Sequence, residues 1–80
     1  MLNYEECKKI AVDITEKNGI SIDKAGELLD AYVFDSTNKS FVTNLPIVVD
    51  RNNGNVTSLW LYLQNKDPNI TFDDVVEREF

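Results

Sequence analysis

The residues of this chain that could do acid–base or nucleophilic chemistry are its carboxylates, a single thiol and three tyrosines. Histidine, the commonest general base and metal ligand, does not occur. Catalysis needs groups of suitable pKa held close together, and the spacing here does not supply them. Asp73 and Asp74 are adjacent, and adjacent residues on a helix point in different directions. In a first helical turn they instead match the positive end of the helix dipole. Asp50-Arg51-Asn52-Asn53-Gly54 has the outline of a calcium loop. Asn55 and Leu61, however, stand where that loop needs Gly at its sixth position and Glu at its twelfth. Cys7, the only cysteine, cannot close an internal disulfide and reads as a small buried residue. No Gly-rich phosphate loop, nucleophile elbow or Cys/His metal spacing is present. The expectation is a domain that is not an enzyme and carries no cofactor or metal.

Binding is the remaining class. The net charge of −6 argues against contact with nucleic-acid phosphates, which needs clustered Lys and Arg. It suits solubility or a basic protein partner. Acid is densest at the end of the chain, where Asp67, Asp73, Asp74, Glu77 and Glu79 face Arg78 alone, a distribution that steers a basic partner or simply solvates a surface. Among the aromatics, Tyr32, Phe34 and Trp60 either complete a small core or form an exposed recognition surface. These eight residues are the candidates for partner binding. No segment approaches the roughly 18 apolar residues that cross a membrane. The first residues, MLNYEECKK, carry acid where a signal peptide carries base, so a cytoplasmic location is expected.

The elements that must position these residues are legible in part. Eighty residues make a single domain, which buries roughly 60% of its unfolded surface. Residues 4–17 form an amphipathic helix. Asn3 is its N-cap, Glu6 completes a capping box, and Leu2 and Cys7 sit where a hydrophobic staple closes. Cys7, Ile10, Ala11 and Ile14 give its buried stripe. Asn18-Gly19 stops it, with Gly19 at the left-handed C′ position and Ile20 folding back.

Residues 21–34 admit two readings. One is a helix capped by Ser21. The other, preferred for its β-branched and aromatic content, is a strand over 27–34. In that strand Leu29, Ala31 and Val33 point one way and Tyr32 and Phe34 the other; if the first set faces the helix, the second must be covered by the C-terminal segment or be open to a partner. After a polar loop over 35–40, Phe41 and Val42 begin the next strand. Pro46 within it suggests an edge position or an irregular ladder. Leu45–Val49, the turn residues Asp50–Asn55 and the run to Trp60 read as a hairpin. A three-residue loop with Gly54 in the left-handed bulge position pairs Ile47 with Leu59 and Val49 with Thr57. A two-residue Asn53-Gly54 turn pairs them with Trp60 and Ser58 instead. Residues 59–64 fit a short helix capped by Ser58, although Leu59, Leu61 and Leu63 also alternate like a strand. Asp67-Pro68-Asn69 is a break, after which Thr71 caps a last helix that buries Val75 and Val76. The fold class is therefore α+β: an N-terminal amphipathic helix on a small three-stranded antiparallel sheet, with short C-terminal helical segments.

Ala31-Tyr32-Val33-Phe34 followed by Pro46-Ile47-Val48-Val49-Asp50-Arg51-Asn52-Asn53-Gly54-Asn55-Val56 resembles the YrhB-like small bacterial immunity proteins of polymorphic toxin systems. A strand of the kind V-D-K-x-T-G-x-V recurs in that family. Here Arg51 stands for the Lys and Asn53 for the Thr, and the resemblance spans residues 4–60. It implies a bacterial immunity protein that blocks a cognate toxin by shape and charge complementarity, with the acidic tail facing a basic toxin such as a nuclease. Two other classes fit the composition. One is an acidic phage or mobile-element protein that mimics nucleic acid or blocks a basic partner. The other is a structural homodimer.

Overall fold

A computed structural model describes residues 1–37, 46–66 and 74–80. The fold is α+β. Helix α1 (Tyr4–Lys17) is followed by strands β1 (Lys24–Leu28), β2 (Ala31–Asp35), β3 (Ile47–Asp50) and β4 (Val56–Ser58), helix α2 (Leu59–Lys66) and strand β5 (Val76–Arg78). The strands form one antiparallel sheet of five in the order β4-β3-β2-β1-β5. It is larger than the expected three because β1 and β5 add to it.

Local chemistry sets both ends of α1. The Asn3 side chain accepts from the Glu6 amide at 2.8 Å, and the Glu6 carboxylate accepts from the Asn3 amide at 3.1 Å. Two orphan donors are thereby satisfied. At the other end Gly19 has φ 72°, its N–H donates to the Glu16 carbonyl, and that of Ile20 donates to Thr15. This is the Schellman pattern. The buried face is rotated from the expected stripe: Cys7, Ala11 and Thr15 are buried, Ile10 is half-buried and Ile14 is 37% exposed. Thr15 takes the inner position because its hydroxyl donates back to the Ala11 carbonyl at 2.9 Å, leaving no unpaired polar group.

Residues 24–35 form neither a helix nor one long strand. They fold back as a hairpin with Leu28 opposite Ala31 and only Leu29 and Asp30 between them. Neither turn residue has positive φ, so the primed turn chemistry that marks such hairpins in a sequence is absent. Tertiary contact holds the turn, since the Arg51 amide donates to the Asp30 carbonyl at 2.9 Å.

The β3–β4 hairpin follows neither expected register. Ile47 lies opposite Ser58, Val48 opposite Thr57 and Val49 opposite Val56. The loop has four residues, Arg51 to Gly54, between Asp50 and Asn55, whose main chains bond at 2.9 Å. Asp50 accepts from the Asn52 amide through its side chain and from the Gly54 amide through its carbonyl. Gly54 has φ 76°, the left-handed position expected of it, but in a longer turn. Pro46 precedes β3 rather than lying within an edge strand, and β3 is internal. The Pro46 carbonyl accepts from the Leu59 amide at 3.0 Å. The expected strand start at Phe41-Val42, the break at 67–69 and the Thr71 cap lie outside the described residues.

Strands β2 and β3 are buried on both faces. Cys7 and Ala11 of α1 pack with Tyr32, Phe34, Ile47 and Val49. On the opposite face Leu59, Tyr62 and Leu63 of α2 pack with Ala31, Val33 and Val48. The two sets do point opposite ways: Tyr32 and Phe34 look toward α1, whereas Ala31 and Val33 look toward α2. Period-2 alternation fixes which residues share a face, not which helix covers it.

Where the expected last helix falls on described residues, Val76–Arg78 is a strand. Val76, Glu77 and Arg78 pair with Glu27, Gly26 and Ala25, and Val76 is exposed while Val75 is half-buried. Pairing to the otherwise open side of β1 satisfies main-chain groups that a two-turn helix would leave largely unpaired.

Candidate interaction surface

The proposed binding residues separate into two groups. Tyr32 and Phe34 are core residues, with Phe34 fully buried. Their rings lie under Tyr4: its centroid is 5.1 Å from that of Tyr32, edge-on, and 5.9 Å from that of Phe34, stacked. Phe80 closes the other side of Phe34, edge-on at 6.3 Å. Arg78 completes the cover, with its guanidinium 3.6 Å from the Tyr4 ring centroid and paired to Glu27 at 2.6 Å. Tyr4 and Lys8 both donate to the Phe80 main-chain oxygen, at 3.0 and 2.8 Å. Neither Tyr32 nor Phe34 is open to a partner, which corrects that assignment. Each is worth more to the core than to a surface, since full burial of such a ring contributes about 1.5–3 kcal/mol.

Trp60 is placed differently. Ser58 caps α2 by accepting from the Leu61 amide at 3.3 Å. The helix then commits Leu59, Tyr62 and Leu63, at i, i+3 and i+4, to the core. That phase turns Trp60 and Leu61 outward, 63% and 52% exposed. Trp60 and Leu61 are two large apolar side chains pointing in different directions from a helix whose inner face anchors it. Leu61 was not singled out from the sequence; the signal was its i+2 offset from Leu59, which a helical reading places off the core stripe.

Carboxylates lie near this helix. Burial pushes the Tyr62 hydroxyl above its ordinary pKa, and the negative charges of Asp50 and Asp30 push in the same direction. Of the acidic tail, Asp74, Glu77 and Glu79 are exposed; Asp67 and Asp73 lie outside the described residues. Glu77 lines a recess. Beside α2, over the β1–β5 half of the same sheet face, is a cleft of ≈260 Å³. Its floor is Gly26 and Val33, its walls are Leu59 and Val75, and Glu77 and Asp35 stand at its rim. Gly26 marks the spot: a Cβ there would lie 2.6 Å from Val75 Cγ1. Glycine inside a strand signals such close approach, and this was the trace the sequence carried of the cleft.

The remaining reactive group is enclosed. Cys7 is fully buried, and burial raises its thiol pKa against the weaker opposing effect of Arg51, so the thiolate is disfavoured. Among the described residues no group of three or more His, Cys, Asp or Glu is placed to hold a metal ion. None of their helices is long and apolar enough to cross a membrane. No protein-family model matches the chain, and no curated protein or solved structure matches it.

Proposed function

We propose that this chain is a protein-binding domain that acts as an immunity-type inhibitor, docking the outer face of α2 onto a basic protein such as a toxin nuclease. The exposure of Trp60, with Leu61 exposed beside it on α2, carries the reading. Large aromatic and aliphatic side chains on a rigid helix are the usual anchors of an interface, and this helix is held by three buried side chains and a cap. Charge complementarity selects the partner: the chain carries −6. A negative field around an apolar anchor speeds encounter with a basic surface and disfavours acidic ones.

The test is co-expression with the protein encoded beside this chain. The expected result is protection of the cell and a 1:1 complex that weakens with salt, both lost with Trp60→Ala combined with Leu61→Ser. Absence of both protection and complex contradicts the reading. A complex of two copies of this chain through the same face would replace it with a homodimer.

A further inference from the structure

The cleft beside α2 is built by the sheet itself. Cross-strand register places Gly26, Val33 and Glu77 in one row and Lys24 opposite Asp35 in the next, all on the α2 side. Helix α2 covers the β3–β4 half of that side, and Leu59 stands at its boundary with the cleft. Three features of the recess define what it accepts. Its ≈260 Å³ falls below the roughly 300–1,000 Å³ of cofactor and drug-like sites, so it suits a single long side chain. Its floor and walls are aliphatic, matching a stem of methylenes. Its rim carries the carboxylates of Asp35 and Glu77 against the ammonium of Lys24, a balance of one negative charge. Asp35 accepts from the Ser36 amide at 2.8 Å. The Glu77 side chain is exposed and has no hydrogen bond or ion pair to another described residue.

We infer that this cleft is the seat of a lysine or arginine side chain from the partner, its stem on Val33, Val75 and Leu59 and its cationic head between Glu77 and Asp35. The inference deepens the proposed function, resting on its basic partner, and places a second contact on the sheet face that α2 shares. Glu77, from the acidic tail, becomes the residue that reads charge, while Trp60 supplies apolar contact. An acidic side chain is disfavoured by the single net negative charge of the rim, and a short apolar one leaves the rim unmatched.

The experiment uses the intact chain and no partner, so its outcome is independent of the co-expression test. Amide resonances are followed by NMR while Nα-acetyl-arginine methylamide is added, with the neutral citrulline analogue and an acetylated glutamate amide as controls. The expected result is saturable shifts confined to Gly26, Val33, Val75 and Glu77, with the neutral analogue weaker. Glu77→Lys should weaken binding about three- to five-fold, the scale of a solvent-accessible ion pair, and Asp13→Lys on the outer face of α1 should leave it unchanged. Shifts spread over the acidic surface, equal binding of the neutral analogue, preference for the glutamate amide, or indifference to Glu77→Lys would each overturn it. If the arginine probe fails while co-expression yields a complex, the cleft assignment falls and the inhibitor reading stands. If the probe binds but no complex forms, the reverse holds.

Discussion

The guanidinium of Arg78 lies 3.6 Å from the ring centroid of Tyr4, joining the last strand to the first helix. The same guanidinium pairs with Glu27 on β1, so one side chain ties β5 to both α1 and the strand beside it. This closure is why Tyr32 and Phe34 are core residues. It also holds β5, only three residues long, beside the cleft that Glu77 lines.

Replacing Arg78 with Met keeps the stem and removes the charge. A cation over an aromatic face is worth about 0.5–2 kcal/mol. The ion pair to Glu27, whose partners are 32% and 45% exposed, adds less than about 1 kcal/mol after solvent screening. Arg78→Met should therefore lower unfolding free energy in urea by about 1–2 kcal/mol. A double-mutant cycle with Tyr4→Leu should show coupling, and strict additivity would contradict the stacked geometry.

Gly26→Ala places a methyl 2.6 Å from Val75 Cγ1 and 3.3 Å from the Val76 carbonyl oxygen. The Val75 side chain must move and the Val76 carbonyl must give by a few tenths of an ångström to admit it, at a cost of about 1–3 kcal/mol. The loss should be local: amide exchange of Val76–Arg78 rises more than that of Val48 and Val49 at the sheet centre. Unchanged stability would show that β5 sits farther from β1 than described.

Alkali should loosen the fold. Burial raises the Cys7 thiol above its ordinary 9.0 and the Tyr4 and Tyr62 hydroxyls above 10.0. A raised folded-state pKa means that the unfolded chain ionises first. The stability these groups supply is complete below the ordinary values and is lost as pH rises from them through the folded ones. Unfolding followed from pH 8 upward should show a decline beginning near 9, and Cys7→Ala should flatten its first part. A flat profile through this range would contradict the burial of the three groups.

Much of the fold was legible because local chemistry and packing agree. The Asn3–Glu6 box, the Gly19 stop, the Ser58 cap and the left-handed Gly54 are each set by residues within a few positions of one another. What was not legible depends on distant partners. The Leu29-Asp30 turn has no glycine and rests on Arg51. Val75 and Val76 satisfy a helical or an extended pattern equally, and only β1 decides between them. The facing of Tyr32 and Phe34 is undetermined by alternation, because β2 is covered on both sides. Of the binding candidates, Trp60 was readable as an exposed aromatic once α2 was phased by its cap. Glu77 was readable only as charge, since its place at a cleft follows from strand pairing across the sheet.

Truncating the outer face of α2 separates stability from binding. Trp60→Ala and Leu61→Ser remove side chains that are 63% and 52% exposed, so the loss of unfolding free energy should stay below the roughly 2–5 kcal/mol of a core truncation. Loss of a central anchor costs about 2 kcal/mol or more in affinity. A large loss of stability would mean that these side chains belong to the core.

The most direct measurement is cell survival when the protein encoded beside this chain is expressed with wild-type, Trp60→Ala/Leu61→Ser or Ile14→Ser chain, at matched levels of folded protein. The account predicts that wild type and Ile14→Ser protect and form the complex, while the α2 double variant does neither. Equal protection by all three, or protection by none together with no complex, would contradict it.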